Sequence, residues 1–199
     1  ATPVFNIHLQ KYIIKTLQSV CPKCSKLYYD VNSPEIRKII NTRKGSNRFT
    51  AVAALCNKPN NRTCGDKNID GCGAIFSNVI KREPTSIGKL TACWKAGKNT
   101  PNDLALQYDA SDVSKIFKRI SDEDAEALGF DRELCRPEWL ICEVLPVAPP
   151  YVRPSVRADN RTRREEDLKH KYCDIIKTNK TLKNKIANNH QKRAIDAWY

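Results

Sequence analysis

The chain has 199 residues, of which 40% are hydrophobic and 29% charged, and it carries a formal net charge of +13. That length holds one domain with a real core or two small ones. No apolar run approaches the roughly 20 residues that cross a bilayer, and the start lacks the basic, apolar and small blocks of a signal peptide, so neither a membrane span nor a membrane partner is expected of these residues. Methionine is absent even at position 1, so the chain reads as a segment of a longer one. The charge is uneven: residues 151–193 hold 13 Lys/Arg against 5 Asp/Glu, the first 150 hold 22 against 16. A block that basic is either a polyanion-binding face or a well-solvated one.

In chain order, "NIHLQKYIIKTLQSV" spaces Ile7, Leu9, Ile13, Ile14, Leu17 and Val20 close to helical period and predicts a helix running into "CPKC". "SPEIRKIINTRK" opens with Ser33 as N-cap, Pro34 in the first turn and Glu35 near the positive end of the helix dipole. "NRFTAVAALC" predicts a short helix that delivers Cys56 at its end. "GAIFSNVIKRE" and "KLTACWKA" read as strands joined by a turn at 84–88. "ASDVSKIFKRI" and "SDEDAEALG" read as successive helices, the second capped by Ser121 and stopped by Gly129. "WLICEVL" reads as an apolar strand that runs into the proline- and arginine-rich "PVAPPYVRPSVRADNRTRR". A basic amphipathic helix from about Glu165 follows, with Leu168, Tyr172, Ile175, Ile176 and Leu182 among lysines. The fold class is α+β: mixed helices and short antiparallel strands.

Nine cysteines need sorting. An odd number without a secretory signal argues against a disulfide framework. Cys93, Cys135, Cys142 and Cys173 sit in apolar contexts and read as buried structural thiols. Cys21 and Cys24 stand at the C-x-x-C spacing that lets two thiolates share one metal. Two of Cys56, Cys64 and Cys72 can complete a tetrahedral structural zinc site, and "DGCGA" supplies small residues for wrapping backbone around it. A redox C-x-x-C is the competing reading; zinc retained with no free thiol at Cys21 and Cys24 would remove it.

Several stretches together carry a family resemblance. "RPEWLICEVLPVAPPYVRPSV" (136–156), then "RREEDLKHKYCDIIKTN", with "IFKRISDEDAEALGF", "VCPKCSKL" and "GCG" upstream, resembles the clamp core of the largest subunit of multisubunit DNA-directed RNA polymerases, of the eukaryotic RNA polymerase II type. The resemblance implies a zinc-containing clamp core over residues 1–150, a lid loop over 151–168 and a basic clamp helix over 169–199. The lid would project into the cleft at the upstream end of the RNA–DNA hybrid. Pro146, Pro149, Pro150 and Pro154 would hold it extended at little further entropic cost. Arg153, Arg157, Arg161, Arg163 and Arg164 would face phosphates. The family's zinc ligands carry over to Cys21, Cys24, Cys56 and Cys72, while Cys64 matches a cysteine that is not a ligand in some relatives. Spacing alone leaves open Cys64 in place of Cys56.

The same resemblance implies part of a nucleotidyltransferase, with template DNA, the RNA–DNA hybrid and other subunits, including the second-largest, as partners. Structural Zn²⁺ is the implied cofactor. The family's catalytic Mg²⁺ belongs to an aspartate-rich motif, NADFDGD, which this segment lacks, so no catalytic residue is expected here. "SDEDAE" reads as the acidic first turn of a helix, and His8, His170 and His190 have no nucleophile partner in a recognisable arrangement. The nucleus is the expected location for a cellular protein, the virion or viral factory for that of a large DNA virus. A free-standing zinc-dependent nucleic-acid-binding protein is the alternative.

Overall fold

In the computed structural model the described residues are 3–57, 63–66, 70–75, 77, 79–82, 88–94, 104–158, 162–164 and 166–188. The described residues divide into two compact units, one within Thr2–Cys142 and one within Glu143–Tyr199. The fold class is mixed, with helices and short antiparallel strands. No described helix is long and apolar enough to cross a membrane.

The first unit begins with β1 (Val4–Phe5), a 3-10 turn at Ile7–Leu9 and α1 (Gln10–Ser19). Helix α1 buries Ile13 and Leu17 on one face, as its spacing predicts. Helix α2 (Pro34–Thr42) starts where the Ser33 hydroxyl accepts from the Ile36 amide at 3.4 Å, with Pro34 in its first turn. Helix α3 (Gly45–Cys56) packs on α1 through Tyr12 and Phe49, whose ring centroids lie 5.4 Å apart, and Phe130 meets Phe49 edge-on at 5.5 Å.

Arg48 ties this corner together. Its guanidinium donates to the carbonyls of Ile40, Arg43 and Glu126, serving backbone acceptors around the ends of two helices. Strands β2 (Val79–Arg82), β3 (Lys89–Trp94) and β4 (Leu104–Asp109) form an antiparallel sheet in that order, with Ile80 facing Ala92 and Leu90 facing Tyr108. The expected turn at 84–88 lies outside the described residues except for Gly88.

Helix α4 (Ala110–Lys118) leaves β4 directly and buries Val113, Ile116 and Phe117. Helix α5 (Asp122–Leu128) has Ser121 as N-cap, its hydroxyl accepting from the Asp124 amide at 3.1 Å, and ends at Gly129 with φ +95°. A Cβ at Gly129 would also come within 3.0 Å of the Gly45 carbonyl oxygen, so glycine is needed there twice over.

The expected strand over "WLICEVL" shrinks to two residues. A 3-10 turn covers Pro137–Leu140, and only β5 (Ile141–Cys142) pairs, with β1. Val144 and Leu145 are exposed, so apolar composition here does not mark a buried strand. Three of the four scattered cysteines correct another expectation: Cys135, Cys142 and Cys173 are exposed, and Cys93 is half-buried.

In the second unit a 3-10 turn at Pro150–Val152 leads into β6 (Val156–Ala158), which pairs antiparallel with β7 (Thr162–Arg164), and α6 (Asp167–Ala187) follows. The proline-rich stretch thus ends in a hairpin, where the sequence suggested an unpaired extended loop.

Candidate metal centre

Four thiols converge in the first unit: Cys21, Cys24, Cys64 and Cys72, with all sulfur atoms within 4.8 Å of one another. Two turns of similar construction present them. In the first, Val20 bridges Leu27, the Cys21 amide donates to the Lys26 carbonyl at 2.9 Å, and the Ser25 amide returns to the Cys21 carbonyl at 2.8 Å. In the second, Thr63 bridges Ile75, the Cys64 amide donates to the Ala74 carbonyl and the Gly73 amide to the Cys64 carbonyl, both at 2.8 Å.

Each turn needs a residue at positive φ just after a cysteine. These are Ser25 at 61°, Gly65 at 122° and Gly73 at 72°. Glycine adopts such values freely, whereas Ser25 holds its value at a steric cost. Gly71 meets a different constraint, because a Cβ there would collide with the backbone of Cys64 and Gly65. The "DGCGA" glycines therefore let two backbones approach and turn beside the thiols.

The rest of the unit fixes the turns in place. Arg119, just past α4, donates to the Pro22 carbonyl at 3.2 Å, and the Asp124 carboxylate accepts from the Leu27 amide at 3.4 Å. Lys26 and Asp70 pair across the two turns at 3.4 Å, although both are too exposed for the pair to contribute much.

The geometry fits a tetrahedral metal. A Zn–S bond of about 2.3 Å implies S···S edges of roughly 3.8 Å, and Cys21–Cys72 and Cys24–Cys64 stand at 3.5 and 3.6 Å. The thiols are unevenly poised. Burial pushes Cys21 up to about 11 and raises Cys64 further. Slight burial acts upward on Cys72 too, but the Ala74 amide and the neighbouring thiols outweigh it and bring Cys72 to about 7. Four sulfurs packed this closely cannot all ionise without a cation, whereas a thiophilic dication would favour the charged form of each.

The structure brings Cys64, not Cys56, to this group. Cys56 ends α3 with its side chain 1% exposed, and burial lifts its thiol to about 12. It sits in the core as a small apolar residue would. The signal that distinguishes them was present in the sequence: Cys64 and Cys72 are each followed by glycine, while Cys56 closes an apolar helical run.

Among the arginines expected to face phosphate, Arg153 has its Nε donating to the Ala148 carbonyl at 2.8 Å, and its guanidinium lies 5.5 Å from the centroid of Tyr172. The Tyr172 hydroxyl accepts from the Ala148 amide at 3.2 Å. Arg153 thus helps clasp the segment before the hairpin to α6. Arg157, Arg163 and Arg164 lie on the hairpin, with Arg157 and Arg163 at directly opposed register positions; Arg161 lies outside the described residues.

Comparison with known proteins gives this arrangement a context. Residues 1–198 match the family described as RNA polymerase Rpb1, domain 1. The chain belongs to the RNA polymerase Rpb1 domain 1 family. It is 34% identical over 195 residues to the DNA-directed RNA polymerase II subunit RPB1 of Euplotoides octocarinatus, an alignment covering 94% of this chain and 40% of that protein. The chain thus spans about two-fifths of the length of this Rpb1 relative.

Proposed function

We propose that the chain is a segment of the largest subunit of a DNA-directed RNA polymerase, forming part of its clamp and lid. The observation that carries this reading is the Rpb1 match running from residue 1 to residue 198. Over such a span both the four-thiol cluster and the arginine hairpin fall inside the matched region.

Cys21, Cys24, Cys64 and Cys72 would hold one structural Zn²⁺, which supplies a rigid cross-link and no bond chemistry. The cross-link joins the turn after α1 to the turn before β2, two segments with little secondary structure of their own. Metal binding then contributes directly to folding this unit. Partners of the assembled enzyme would be template DNA, the RNA–DNA hybrid and the remaining subunits, including the second-largest. Catalytic Mg²⁺ would be held elsewhere in the subunit. The similarity to an RNA polymerase II subunit favours a nuclear location.

The hairpin would act at the upstream edge of the hybrid. Its register supports a polyanion partner: Arg157 and Arg163 are direct cross-strand neighbours, and like charges so placed destabilise a ladder unless something neutralises them. Phosphate oxygens would do so, because a guanidinium pairs with them through two hydrogen bonds. The second unit would then separate RNA from template by steric bulk and electrostatic grip together.

The test is hybrid length. Deleting 155–165 from the subunit in assembled polymerase should leave nucleotide addition intact while lengthening the hybrid seen by nuclease footprinting. A hybrid of unchanged length would overturn the lid reading and leave the segment a solvated linker.

A further inference from the structure

Tyr151 is an unusual side chain to leave in water. Its residue is 95% exposed and Val152 beside it 61%. Full exposure of a large aromatic ring leaves both π-faces unpaired and forgoes the burial that normally stabilises such a residue.

The ring is nevertheless carried on an ordered support. Pro149 and Pro150 fix φ at two successive positions, and the amides of Val152 and Arg153 donate to the carbonyls of Pro149 and Pro150 at 3.0 and 3.1 Å. Two residues on, Arg153 is anchored to the Ala148 carbonyl and over Tyr172. The support is therefore held from both sides, and a ligand meeting Tyr151 would find the backbone beneath it already ordered.

What could cover such a ring is indicated by charge. The hairpin that follows places Arg157, Arg163 and Arg164 within three short strand positions of each other, and α6 continues with lysines. An aromatic ring on the same stretch of chain as a basic block is the pairing that single-stranded nucleic acid requires, a base for the ring and phosphates for the cations. A peptide partner would have to be strongly acidic and also apolar along the segment where Val144, Leu145, Val147 and Val152 are exposed.

We propose that the Tyr151 ring is a stacking platform for one unpaired nucleobase of the RNA or the template strand. This rests on the polymerase reading above and adds to it a specific base contact on the proline turn, outside the arginine hairpin. Since every base has a π-face, the contact would be tolerant of sequence.

The experiment uses the assembled polymerase on a scaffold carrying a single 2-aminopurine, stepped through the unpaired positions next to the hybrid. One series places it in the RNA, the other in the template. At one position fluorescence should be quenched by stacking. Tyr151→Ala should relieve that quenching several-fold and weaken scaffold binding about ten-fold, with the salt dependence of binding unchanged. Tyr151→Phe should keep the quenching, because the ring and not the hydroxyl makes the contact. The series that responds identifies the strand.

If no position responds to Tyr151→Ala, or if Tyr151→Phe behaves like Tyr151→Ala, the stacking proposal is overturned. Loss of another subunit on Tyr151→Ala with fluorescence unchanged would also overturn it and assign the ring to a protein pocket. Footprinting of the hairpin deletion, run in parallel, separates this failure from failure of the lid reading itself.

Discussion

At Cys56 and Cys64 the same side chain meets two environments. Both are almost fully buried and both thiols are raised by burial. Yet only Cys64 has sulfur neighbours, with Cys24 Sγ 3.6 Å away. Sequence spacing could not choose between them, since either can be reached from Cys72 by a loop. The difference lies in the following residue: Gly65 at φ 122° lets the chain double back toward Gly71, whereas Asn57 only finishes the α3 turn. Cys64→Ser should therefore lose the metal, while Cys56→Ser should keep about one zinc per chain and cost roughly 1–3 kcal/mol for a hydroxyl placed in the core. Metal analysis and thermal melts of the two variants check this. Zinc retained in Cys64→Ser but lost in Cys56→Ser would reverse the assignment. The pH dependence has a definite sign. Because bound thiols must be deprotonated, zinc release should grow as pH falls, and the stability that depends on it should fall with it.

Elements were legible where their ends carry chemistry. Ser33 with Pro34, and Ser121 with Gly129, marked α2 and α5 because a cap satisfies backbone groups that no other residue nearby could. β4 was missed because Leu104, Ala105, Leu106 and Gln107 individually favour helix, and only pairing with β3 makes them a strand. "WLICEVL" misled in the opposite direction: a run of apolar residues has no period, and here Trp139, Val144 and Leu145 face solvent while Leu140 and Ile141 are buried. The hairpin at 156–164 was hidden by its prolines and arginines, which suggested a loop, although Pro154 stands just before β6 where no ladder amide is needed. At this scale the clasp before the hairpin is testable. Tyr172→Phe keeps the ring under Arg153 but removes the acceptor for the Ala148 amide. A hydrogen bond worth about 1 kcal/mol predicts roughly five-fold faster hydrogen exchange at that amide. Unchanged protection at Ala148 would show that the hydroxyl contact does not hold the segment.

For the molecule as a whole, the four-thiol cluster and the most basic stretch of chain fall in different units. The four-thiol centre lies in Thr2–Cys142, while residues 151–193 carry 13 Lys/Arg against 5 Asp/Glu. Composition alone left that block as either a polyanion face or a solvated one. Arg157 and Arg163 stand at opposed register positions in that block, so the proposed phosphate contact can be tested at the hairpin. If the arginines meet phosphate, replacing Arg157, Arg161, Arg163 and Arg164 with Gln should weaken scaffold binding by the assembled polymerase at every sequence alike. It should also flatten the slope of log affinity against log salt, by about 0.7–0.9 for each phosphate that is no longer neutralised, since each neutralised phosphate releases condensed counterions. The measurement is binding at four or five salt concentrations for the parent and the quadruple variant. Parallel lines would mean that these charges meet water and not phosphate.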